Sequence, residues 1–337
     1  DAQSETCQTL LQPNTWYVRA LGWLNGRPVF SGSRGETYGR YQYDGFYWLD
    51  EAEPEYGPYD FDNTRYYIGP ALQCSNIYPA MYAKGFYDGL KESGEKEIMS
   101  LVRCAWAGSQ KYGVLTWSGD IYSSFRAMRE QLQAGLNMGM AGIPWWTSDI
   151  GGFVGGNIED EDFRELLVRW FAWGAFCPVF RMHGERSPWY EREQEFIDNV
   201  RQLTSGQDNE VWSFGEDNYE ILKKYLFVRE NMRPYIRECM RAASETGAPV
   251  MRPLFFDFPE DKKCWETEDV YMFGPDVLVA PVMELGARER TLYLPKGAEW
   301  KDAVSGNLYE GGRAVTVDAP LSVIPVFVRD GKDVKIF

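Results

Sequence analysis

From about residue 43 to residue 257, short apolar or aromatic runs alternate with longer segments of helical pattern. This alternation predicts a parallel β-sheet whose strands are joined by crossover helices, which is the α/β class. Five strands can be counted, in the segments YDGFYWLD (43–50), EIMSLVRCAW (97–106), GIPWWTSD (142–149), PVFRMHG (178–184) and APVMRPLFFD (248–257). Both a (β/α)-barrel and an open doubly wound sheet fit this order of elements.

Residues able to do chemistry recur at or near the carboxyl end of each predicted strand. They are Asp50, Arg103, Asp149, His183 and Asp257. In a (β/α)-barrel this end of the strands carries the active site, and in an open sheet it is the edge that binds ligands. No glycine-rich phosphate loop follows any of the strands, so a nucleotide-binding fold is disfavoured.

The pattern changes on either side of this region. Residues 276–337 contain short strands broken by Gly, Pro and Asp, which predicts a small all-β domain of sandwich type. Residues 1–42 are a separate segment, in which NGR and SGSRG indicate the turns of one or two β-hairpins. We therefore expect the catalytic domain to span residues 43–275.

The chain carries 50 acidic and 35 basic residues among 337, a formal charge of −15. Nucleic acids and anionic membranes attract basic surfaces, so both partners are disfavoured and a neutral substrate fits best. Aromatic residues make up 16% of the chain, which is typical of sugar-binding clefts but equally of large α/β cores.

The cysteines are scattered, without a C-x-x-C pair or the clustering of a metal site. They are Cys7, Cys74, Cys104, Cys177, Cys239 and Cys264. This pattern predicts a reducing compartment, and we expect a cytoplasmic protein with no metal and no other cofactor. No apolar run approaches the length of a membrane span, and the start, DAQSETCQTLLQPN, lacks the pattern of a signal peptide.

Asp50 ends an aromatic strand, and Trp48 points to the same side of the pleat. A carboxylate beside an indole suits a glycosidase nucleophile, with Glu53 in the turn that fixes it. The alternative is a solvated acidic loop, because runs of charge usually face water. Asp120 follows a loop rich in glycine and aromatic residues and precedes a helical pattern that begins at Ser123. It is therefore either an acid over the site or the N-cap of that helix.

Asp149 follows two tryptophans and precedes two glycines, so aromatic walls and backbone can approach a ligand there. His183 is the only histidine, and no G-x-S-x-G sequence accompanies it. A serine hydrolase and a histidine-rich zinc site are thus disfavoured, and a hydrogen bond to a substrate hydroxyl is the simplest role. Glycoside hydrolysis needs two carboxylates. The residues alone leave this pair open among Asp50, Asp120, Asp149 and Asp257.

Four ordered segments resemble the motifs of glycoside hydrolase family 31: FYWLDEAEP, RCAWAGSQKYGVLTWSGD, GIPWWTSDIGGF and RWFAWGAFCPVFRMHGER. The similarity extends from about residue 43 to the end of the chain. This family contains retaining α-glucosidases, α-xylosidases and related transglycosidases. The resemblance implies a (β/α)8 barrel of TIM type, which five predicted strands cannot close. We therefore expect an incomplete barrel. Either it has an exposed strand edge, through which a homo-oligomer can form, or the edge is covered, for example by the first hairpins.

The resemblance also implies roles for individual residues. Asp50 matches the nucleophile, in the W-x-D motif, and Asp120 matches the acid/base, in the W-x-G-D motif. The residues that match the subsite for the non-reducing sugar are Trp48, Arg103, Trp117, Asp149, Phe153 and His183. The implied activity is retaining hydrolysis of a terminal α-linked glucose or xylose, from an oligosaccharide or α-glycoside, through a glycosyl-aspartate. The alternatives are transglycosylation, or sugar binding without turnover by the incomplete barrel.

Overall fold

The computed structural model describes residues 18–24, 27–32, 46–54, 62–188, 196–197, 200–201 and 206–337. The strands are β1 (Val18–Leu24), β2 (Arg27–Gly32), β3 (Phe46–Leu49), β4 (Arg65–Tyr66), β5 (Gly69–Pro70), β6 (Met99–Val102), β7 (Val114–Trp117), β8 (Trp146–Thr147), β9 (Gly156–Asn157), β10 (Arg186–Ser187), β11 (Phe196–Ile197), β12 (Val200–Arg201), β13 (Met251–Pro253), β14 (Tyr271–Phe273), β15 (Val277–Val279), β16 (Glu289–Leu294), β17 (Glu299–Asp302), β18 (Leu308–Glu310), β19 (Arg313–Asp318) and β20 (Val326–Arg329).

The α-helices are α1 (Ala71–Cys74), α2 (Tyr78–Glu92), α3 (Phe125–Met140), α4 (Glu161–Gly174), α5 (Glu216–Asn231), α6 (Arg233–Thr246) and α7 (Leu254–Asp257). Short 3₁₀ turns occupy Ser75–Ile77, Ser109–Tyr112 and Lys262–Trp265. Within the described ranges, no helix combines the length and the apolar character needed to cross a membrane.

Four strands form the parallel sheet that the alternation of strands and helices predicted. Their order is β3-β6-β7-β8, and all three pairings are parallel. Helix α2 lies between β3 and β6 in the chain, and α3 lies between β7 and β8. The connection from β6 to β7 contains a 3₁₀ turn. Because the strands run in the same direction, the segments that follow them come to one edge of the sheet.

Strand β7 lies in a segment that the sequence analysis treated as a loop. All four of its residues are buried, and Leu115 pairs with Leu101 of β6. A strand this short, directly after Gly113, has too few residues for its periodicity to distinguish it from a loop. The sheet therefore contains one strand that was not predicted.

The predicted strand at 178–184 lies beside β8 but is not a regular strand. The Val179 N–H donates to the Trp146 carbonyl at 3.3 Å, and the Ile150 N–H donates to the Arg181 carbonyl at 3.4 Å. These two bonds are separated along the chain and do not make the evenly spaced ladder of a parallel pair. The prediction of a strand was therefore wrong, although the segment does follow the sheet.

The fifth predicted strand, within 248–257, belongs to a different sheet. Strand β13 pairs with β14 in the antiparallel direction, with Met251 opposite Phe273. Its assignment to the parallel sheet was wrong, because a short buried apolar run carries no signal for the direction of its partner. Helix α7 follows directly and ends at Asp257.

The C-terminal part of the described chain is built of antiparallel strands. Six form a sheet in the order β13-β14-β15-β20-β17-β18, and β16 pairs with β19. Leu292 and Leu294 of β16 share a buried cluster with Trp300 of β17 and Phe327 of β20. The two sheets therefore pack around one core, as in a β-sandwich. Strands of the larger sheet lie on both sides of residue 276, and the predicted domain boundaries stay a prediction.

Near the N-terminus, β1 and β2 pair in the antiparallel direction, with Val18 opposite Gly32. The register shifts between Ala20 and Gly22, which marks a β-bulge. This pairing agrees with the hairpin predicted around NGR. The turn predicted at SGSRG extends beyond the described residues.

The helical pattern over residues 218–247 forms two helices, not one. Met232 stands between α5 and α6, and Pro234 lies in the first turn of α6. Proline lacks an N–H and clashes with the preceding helical turn, so it is accepted at the start of a helix and not inside one. The uninterrupted helical pattern of residues 218–247 predicts one long helix, and this prediction is wrong.

Helix α4 joins the barrel side of the molecule to the C-terminal strands. Arg169 of this helix is 3% exposed, and burial lowers its pKa to about 10, so it stays charged at neutral pH. It donates hydrogen bonds of 2.6 to 3.2 Å to the carbonyls of Ala287, Ala319, Pro320 and Val323. A buried guanidinium with this many acceptors ties the two parts together.

Substituting Gly113 should destabilise the parallel sheet. Its φ is +64°, and an added Cβ would lie 2.1 Å from the Ile98 carbonyl oxygen. We expect Gly113→Ala to lower the free energy of unfolding by about 2 kcal/mol or more, because both the left-handed backbone and the contact are unfavourable. The measurement is urea denaturation followed by fluorescence.

Gly89→Ala, on α2, is the matched control for this prediction. Apart from its chain neighbours and the backbone of its own helix, no atom of the described residues lies within 4 Å of its added Cβ. The free energy of unfolding should stay the same or rise by up to about 1 kcal/mol, as for glycine to alanine on a helix surface. Equal denaturation midpoints for the two variants would contradict the close packing at Gly113.

Candidate active site

The ends of the parallel strands bring the predicted site residues to one place. Four residues mark these ends: Asp50 follows β3, Arg103 follows β6, Trp117 ends β7, and Asp149 follows β8 after one intervening residue. Residues far apart in the chain thereby become neighbours at a single edge, as in the active sites of (β/α)-barrels.

The Asp50 carboxylate is held at the rim of this edge. Its Oδ1 accepts a hydrogen bond from the Glu51 N–H at 2.9 Å and lies 3.4 Å from Arg103 Nη1. Glu51 has a φ of +51°, so the chain turns sharply directly after the strand. These two contacts fix the carboxylate in place. Because the Asp50 side chain is 50% exposed, it is still open to a ligand. It is not part of a freely solvated acidic loop.

Glu53 holds the guanidinium that contacts Asp50. Arg103 Nε donates to Glu53 Oε1 at 2.5 Å, and Cys104 Sγ donates to Oε2 at 3.6 Å. Burial acts to raise the pKa of Glu53, but the hydrogen bond and charge of Arg103 outweigh it and the pKa is lowered. Glu53 therefore stays ionised and fixes Arg103 beside Asp50, a role beyond the shaping of the turn that the sequence suggested.

Asp120 belongs to the same group of charges and does not cap a helix. The N-cap of α3 is Ser124, whose Oγ accepts a hydrogen bond from the Ala127 N–H at 3.1 Å. The alternative that Asp120 is the N-cap is thus excluded, and its side chain is exposed on the loop after β7. The hydrogen bond with Glu53 raises the pKa of Arg103, and the negative charge of Asp120 adds to this effect.

The loops after β7 and β8 are hydrogen-bonded to each other. The Ser123 N–H donates to the Val154 carbonyl at 2.8 Å, and the Phe153 N–H donates to the Ile121 carbonyl at 2.7 Å. A Cβ on Gly152 would lie 2.6 Å from the Ser123 backbone. This glycine therefore permits the two loops to touch, which fixes the segment after Asp120 against the segment after β8.

Asp149 is the buried carboxylate of the site. Its side chain has no exposed surface, and its Oδ1 pairs with Arg181 Nη1. Burial raises its pKa to about 6 against the opposing charge of Arg181, and the negative charge of Asp120 also raises it. Its Oδ2 is buried without a hydrogen-bond partner among the described residues. Such an atom is costly to leave unpaired, which marks Asp149 as a candidate binding group.

Aromatic rings line the same edge. The Trp48 ring meets the Trp117 ring edge to face, with centroids 6.0 Å apart, and lies 4.9 Å from the His183 ring. Phe153 stacks on His183 at 5.5 Å. Trp117 is buried, whereas Trp48 is 43% exposed and offers part of its surface to a ligand. Such a wall suits the C–H surface of a sugar ring.

The His183 imidazole is neutral at neutral pH. Burial lowers its pKa to about 4, and the positive charges of Arg181 and Arg186 act in the same direction. A neutral imidazole has one N–H that donates and one nitrogen that accepts. This state fits the predicted hydrogen bond to a substrate hydroxyl.

Asp257, the fourth carboxylate considered from the sequence, stands in a different environment. It pairs with Arg252 at 3.0 Å. Burial raises its pKa, and the charges that act on it besides Arg252 belong to Arg329 and Asp276. Asp257 thus lies with the C-terminal strands, because β13, the strand before its helix, belongs to the antiparallel sheet. Asp50, Asp120 and Asp149 remain at the site.

Two arginines that the sequence analysis did not single out complete the site, Arg181 and Arg186. Arg181 pairs with Asp149. Arg186 is fully buried and donates hydrogen bonds to the carbonyls of Ile150 at 3.1 Å and Gly152 at 2.9 Å. Both stand in FRMHGER, where positive charges on either side of the single histidine follow an apolar run. Charged residues in an apolar segment are seldom buried without a partner, so this pattern could have marked the two arginines as members of a buried site.

Two domain profiles match the chain. The glycosyl hydrolases family 31 TIM-barrel domain matches residues 27–238, and the glycosyl hydrolase family 31 C-terminal domain matches residues 247–332. These matches confirm the expected barrel domain followed by an all-β domain. The first match begins at residue 27, so the similarity starts earlier than about residue 43, where the sequence motifs placed it.

Individual proteins are similar over much of the chain. An alpha-xylosidase of Saccharolobus solfataricus is 36% identical over 293 residues, which cover 85% of this chain and 37% of that protein. An uncharacterized family 31 glucosidase, ORF2, of Pseudescherichia vulneris is 68% identical over 142 residues, which cover 42% of this chain and 27% of that protein.

A solved structure shares the fold. The GH31 alpha-xylosidase from a soil metagenome, complexed with xylose, superposes with a TM-score of 0.82 at 58% identity. The match covers 86% of this chain and 43% of that one. The chain therefore spans between 27% and 43% of the length of these three proteins.

NMR spectroscopy can test the environment of His183 directly, because the chain contains one histidine. We expect its ring signals to titrate with a pKa of about 4, since burial and two nearby arginines disfavour the charged form. An unperturbed histidine has a pKa of about 6.5. A midpoint near that value would show a solvated ring away from the arginines. His183→Asn is the control, and it should remove the signal.

Proposed function

The chain belongs to glycoside hydrolase family 31, and we propose that it carries the active site of a retaining α-glycosidase that releases terminal α-linked xylose or glucose. One observation carries the proposal: Asp50 and Asp120 lie at the strand edge that also holds Asp149, a buried carboxylate with one oxygen that no described residue hydrogen-bonds. Two carboxylates for the chemistry and a third to bind a hydroxyl form a set that glycoside hydrolysis can use.

Asp50 is the nucleophile of the proposed mechanism. Its carboxylate attacks the anomeric carbon, and the bond from this carbon to the leaving oxygen breaks as Asp120 gives that oxygen a proton. A glycosyl ester of Asp50 results. Arg103, itself held by Glu53, keeps the Asp50 carboxylate oriented at the rim, so that attack needs little further ordering.

Asp120 acts a second time when the ester is resolved. It removes a proton from water, the water oxygen attacks the anomeric carbon, and Asp50 leaves as a carboxylate. Two inversions at one carbon retain the α configuration. The exposure of Asp120 on a loop suits a group that must serve both the leaving oxygen and the incoming water. A sugar hydroxyl in place of water would give transglycosylation, which stays a prediction.

The remaining site residues would hold the non-reducing sugar. Asp149 Oδ2 is an acceptor without a protein partner among the described residues, and the neutral His183 can donate or accept a bond. Trp48 and Phe153, which both contact His183, supply apolar surface, and Trp117 packs edge to face against Trp48. Polar groups that fix hydroxyls beside aromatic walls are typical of sugar sites.

Similarity to α-xylosidases supports an order in which to test the two sugars. Of the proteins described above, two are named alpha-xylosidases, and the one complexed with xylose is 58% identical over 86% of this chain. We therefore propose an α-xyloside as the first substrate to test and an α-glucoside as the second. A cytoplasmic location and a homo-oligomeric state, both expected from the sequence, stay predictions.

Mechanism-based labelling tests the nucleophile. Incubation with 5-fluoro-α-xylosyl fluoride should trap a covalent intermediate: the fluorine at C5 slows both steps, whereas the good leaving group at C1 keeps the first step fast enough for the ester to accumulate. We expect intact mass to rise by one fluoroglycosyl group and peptide mapping to place the group on Asp50. The glucosyl analogue, run in parallel, ranks the two sugars. Asp50→Asn is the control that should take no label.

The outcomes of labelling separate the alternatives. A label on Asp120 or Asp149 would make the assignment of roles wrong. Folded protein that takes neither label but binds xylose would be a sugar-binding protein without turnover. Analysis of products with an added acceptor sugar would distinguish hydrolysis from transglycosylation.

Xylose affinity should depend on pH through Asp149. Burial raises the pKa of this carboxyl to about 6, so it is charged above that pH and protonated below it. We expect isothermal titration calorimetry to show weaker xylose binding as pH falls through about 6, because the protonated group is a poorer acceptor. Asp149→Asn should bind weakly with little pH dependence. Unchanged wild-type affinity down to about pH 4.5, well below this pKa, would exclude Asp149 from the sugar site.

A further inference from the structure

Arg181 joins the buried carboxylate to the aromatic wall. Its Nη1 pairs with Asp149 Oδ1, and its Cζ lies 5.1 Å from the centroid of the Trp48 ring and 5.6 Å from that of the Trp117 ring. Because the side chain is only 16% exposed, its positive charge interacts mainly with these three groups and little with water. A cation over an indole is favourable, and more so when both are removed from water.

The backbone fixes both partners of this ion pair. The Ile150 N–H, adjacent to Asp149, donates to the Arg181 carbonyl at 3.4 Å. The two segments are also joined by the bond from the Val179 N–H to the Trp146 carbonyl. Arg181 thus reaches the site from the segment beside β8, whereas Arg103 reaches it from β6.

The ion pair leaves one polar atom unpaired on each partner. Asp149 Oδ2 and Arg181 Nη2 are buried, and neither has a hydrogen-bond partner among the described residues. A hydroxyl can donate one hydrogen bond and accept another. The pair therefore contains one acceptor and one donor that the described residues leave unsatisfied, the two functions that a hydroxyl could complement.

We propose that Arg181 is a positioning residue of the sugar subsite, which holds Asp149 and the indoles of Trp48 and Trp117 in the arrangement that receives a sugar hydroxyl. This inference rests on the proposed function, since it concerns the same site. A lysine would preserve the charge at this position, but it lacks the planar fork that pairs with a carboxylate while lying against aromatic rings.

Arg181 also influences the charge state of its neighbours. The charged groups that act on Asp149 are Arg181, Asp120 and Arg186, and those that act on His183 are Arg181, Arg186 and Asp50. Burial raises the pKa of Asp149 and Arg181 opposes this, whereas burial and Arg181 together lower the pKa of His183. Removing the positive charge should therefore raise both pKa values.

Two substitutions in the full chain separate charge from geometry. Arg181→Gln removes the charge and the fork, and Arg181→Lys keeps the charge alone. Arg126→Gln is the matched control, because Arg126 is 83% exposed on α3 and pairs with Glu130. Thermal unfolding first shows which variants fold. Xylose affinity is then measured by calorimetry from about pH 4.5 to about pH 8, and His183 is titrated by NMR.

The positioning role predicts a different result for each variant. Arg181→Gln should lose about 10-fold or more in xylose affinity at neutral pH, move the acidic fall in affinity to higher pH, and raise the pKa of His183. Arg181→Lys should lose affinity but keep both titrations close to wild type. Arg126→Gln should match wild type throughout.

Other results would overturn the inference. One is wild-type affinity in Arg181→Gln, and another is an equal loss at every pH with an unchanged His183 titration, which would mean that Arg181 only fills space. If Arg181→Gln does not fold, Arg181→Lys decides, since wild-type affinity in it would remove the need for the fork.

Failure of the proposed function can be told apart from failure of this inference. If wild-type protein binds neither xylose nor glucose, the proposed function fails. The His183 titration needs no ligand and still decides on Arg181: an unchanged pKa in Arg181→Gln overturns the arrangement, and a raised one supports it.

Discussion

The parallel pairing of β3, β6, β7 and β8 is the constraint on which the site depends. Parallel strands place all their carboxyl ends at one edge, so Asp50, Arg103 and Trp117 meet there although long stretches of chain separate them. Both faces of β6 and β7 are buried: Leu101 and Leu115 belong to one apolar cluster, and Val102 and Val114 belong to another. A shift of one residue would turn the site residues on these strands to the wrong face.

Two arginines organise the acids that this edge collects, and they do so differently. Arg103 is shared between Glu53 and Asp50 near the rim, where water reaches both carboxylates. Arg181 pairs with Asp149 in the interior, where burial raises the pKa of the acid to about 6. The exposed pair orients a carboxylate at the rim, while the buried pair holds an acid close to its point of protonation.

The C-terminal strands support the site without contributing its named residues. Arg169 of helix α4 is bonded to four carbonyls of that region, so the helix is fixed from outside. On the same helix, Trp170 Nε1 donates to Ser148 Oγ at 3.0 Å, next to Asp149. A continuous path of buried contacts therefore runs from the antiparallel sheets to the buried acid, and it limits the movement of that acid.

The sequence by itself determined the α/β class, the all-β C-terminal part and the strand ends that carry Asp50 and Asp149, because alternating patterns and short motifs are local. It proposed Asp120 as either a cap or an acid, and only the folded chain, with Ser124 as the N-cap, excluded the first. Tertiary structure alone decided that residues 248–257 leave the parallel sheet and that Arg181 pairs with Asp149. Such pairings join residues distant in the chain, and their strength depends on burial, which no local pattern encodes.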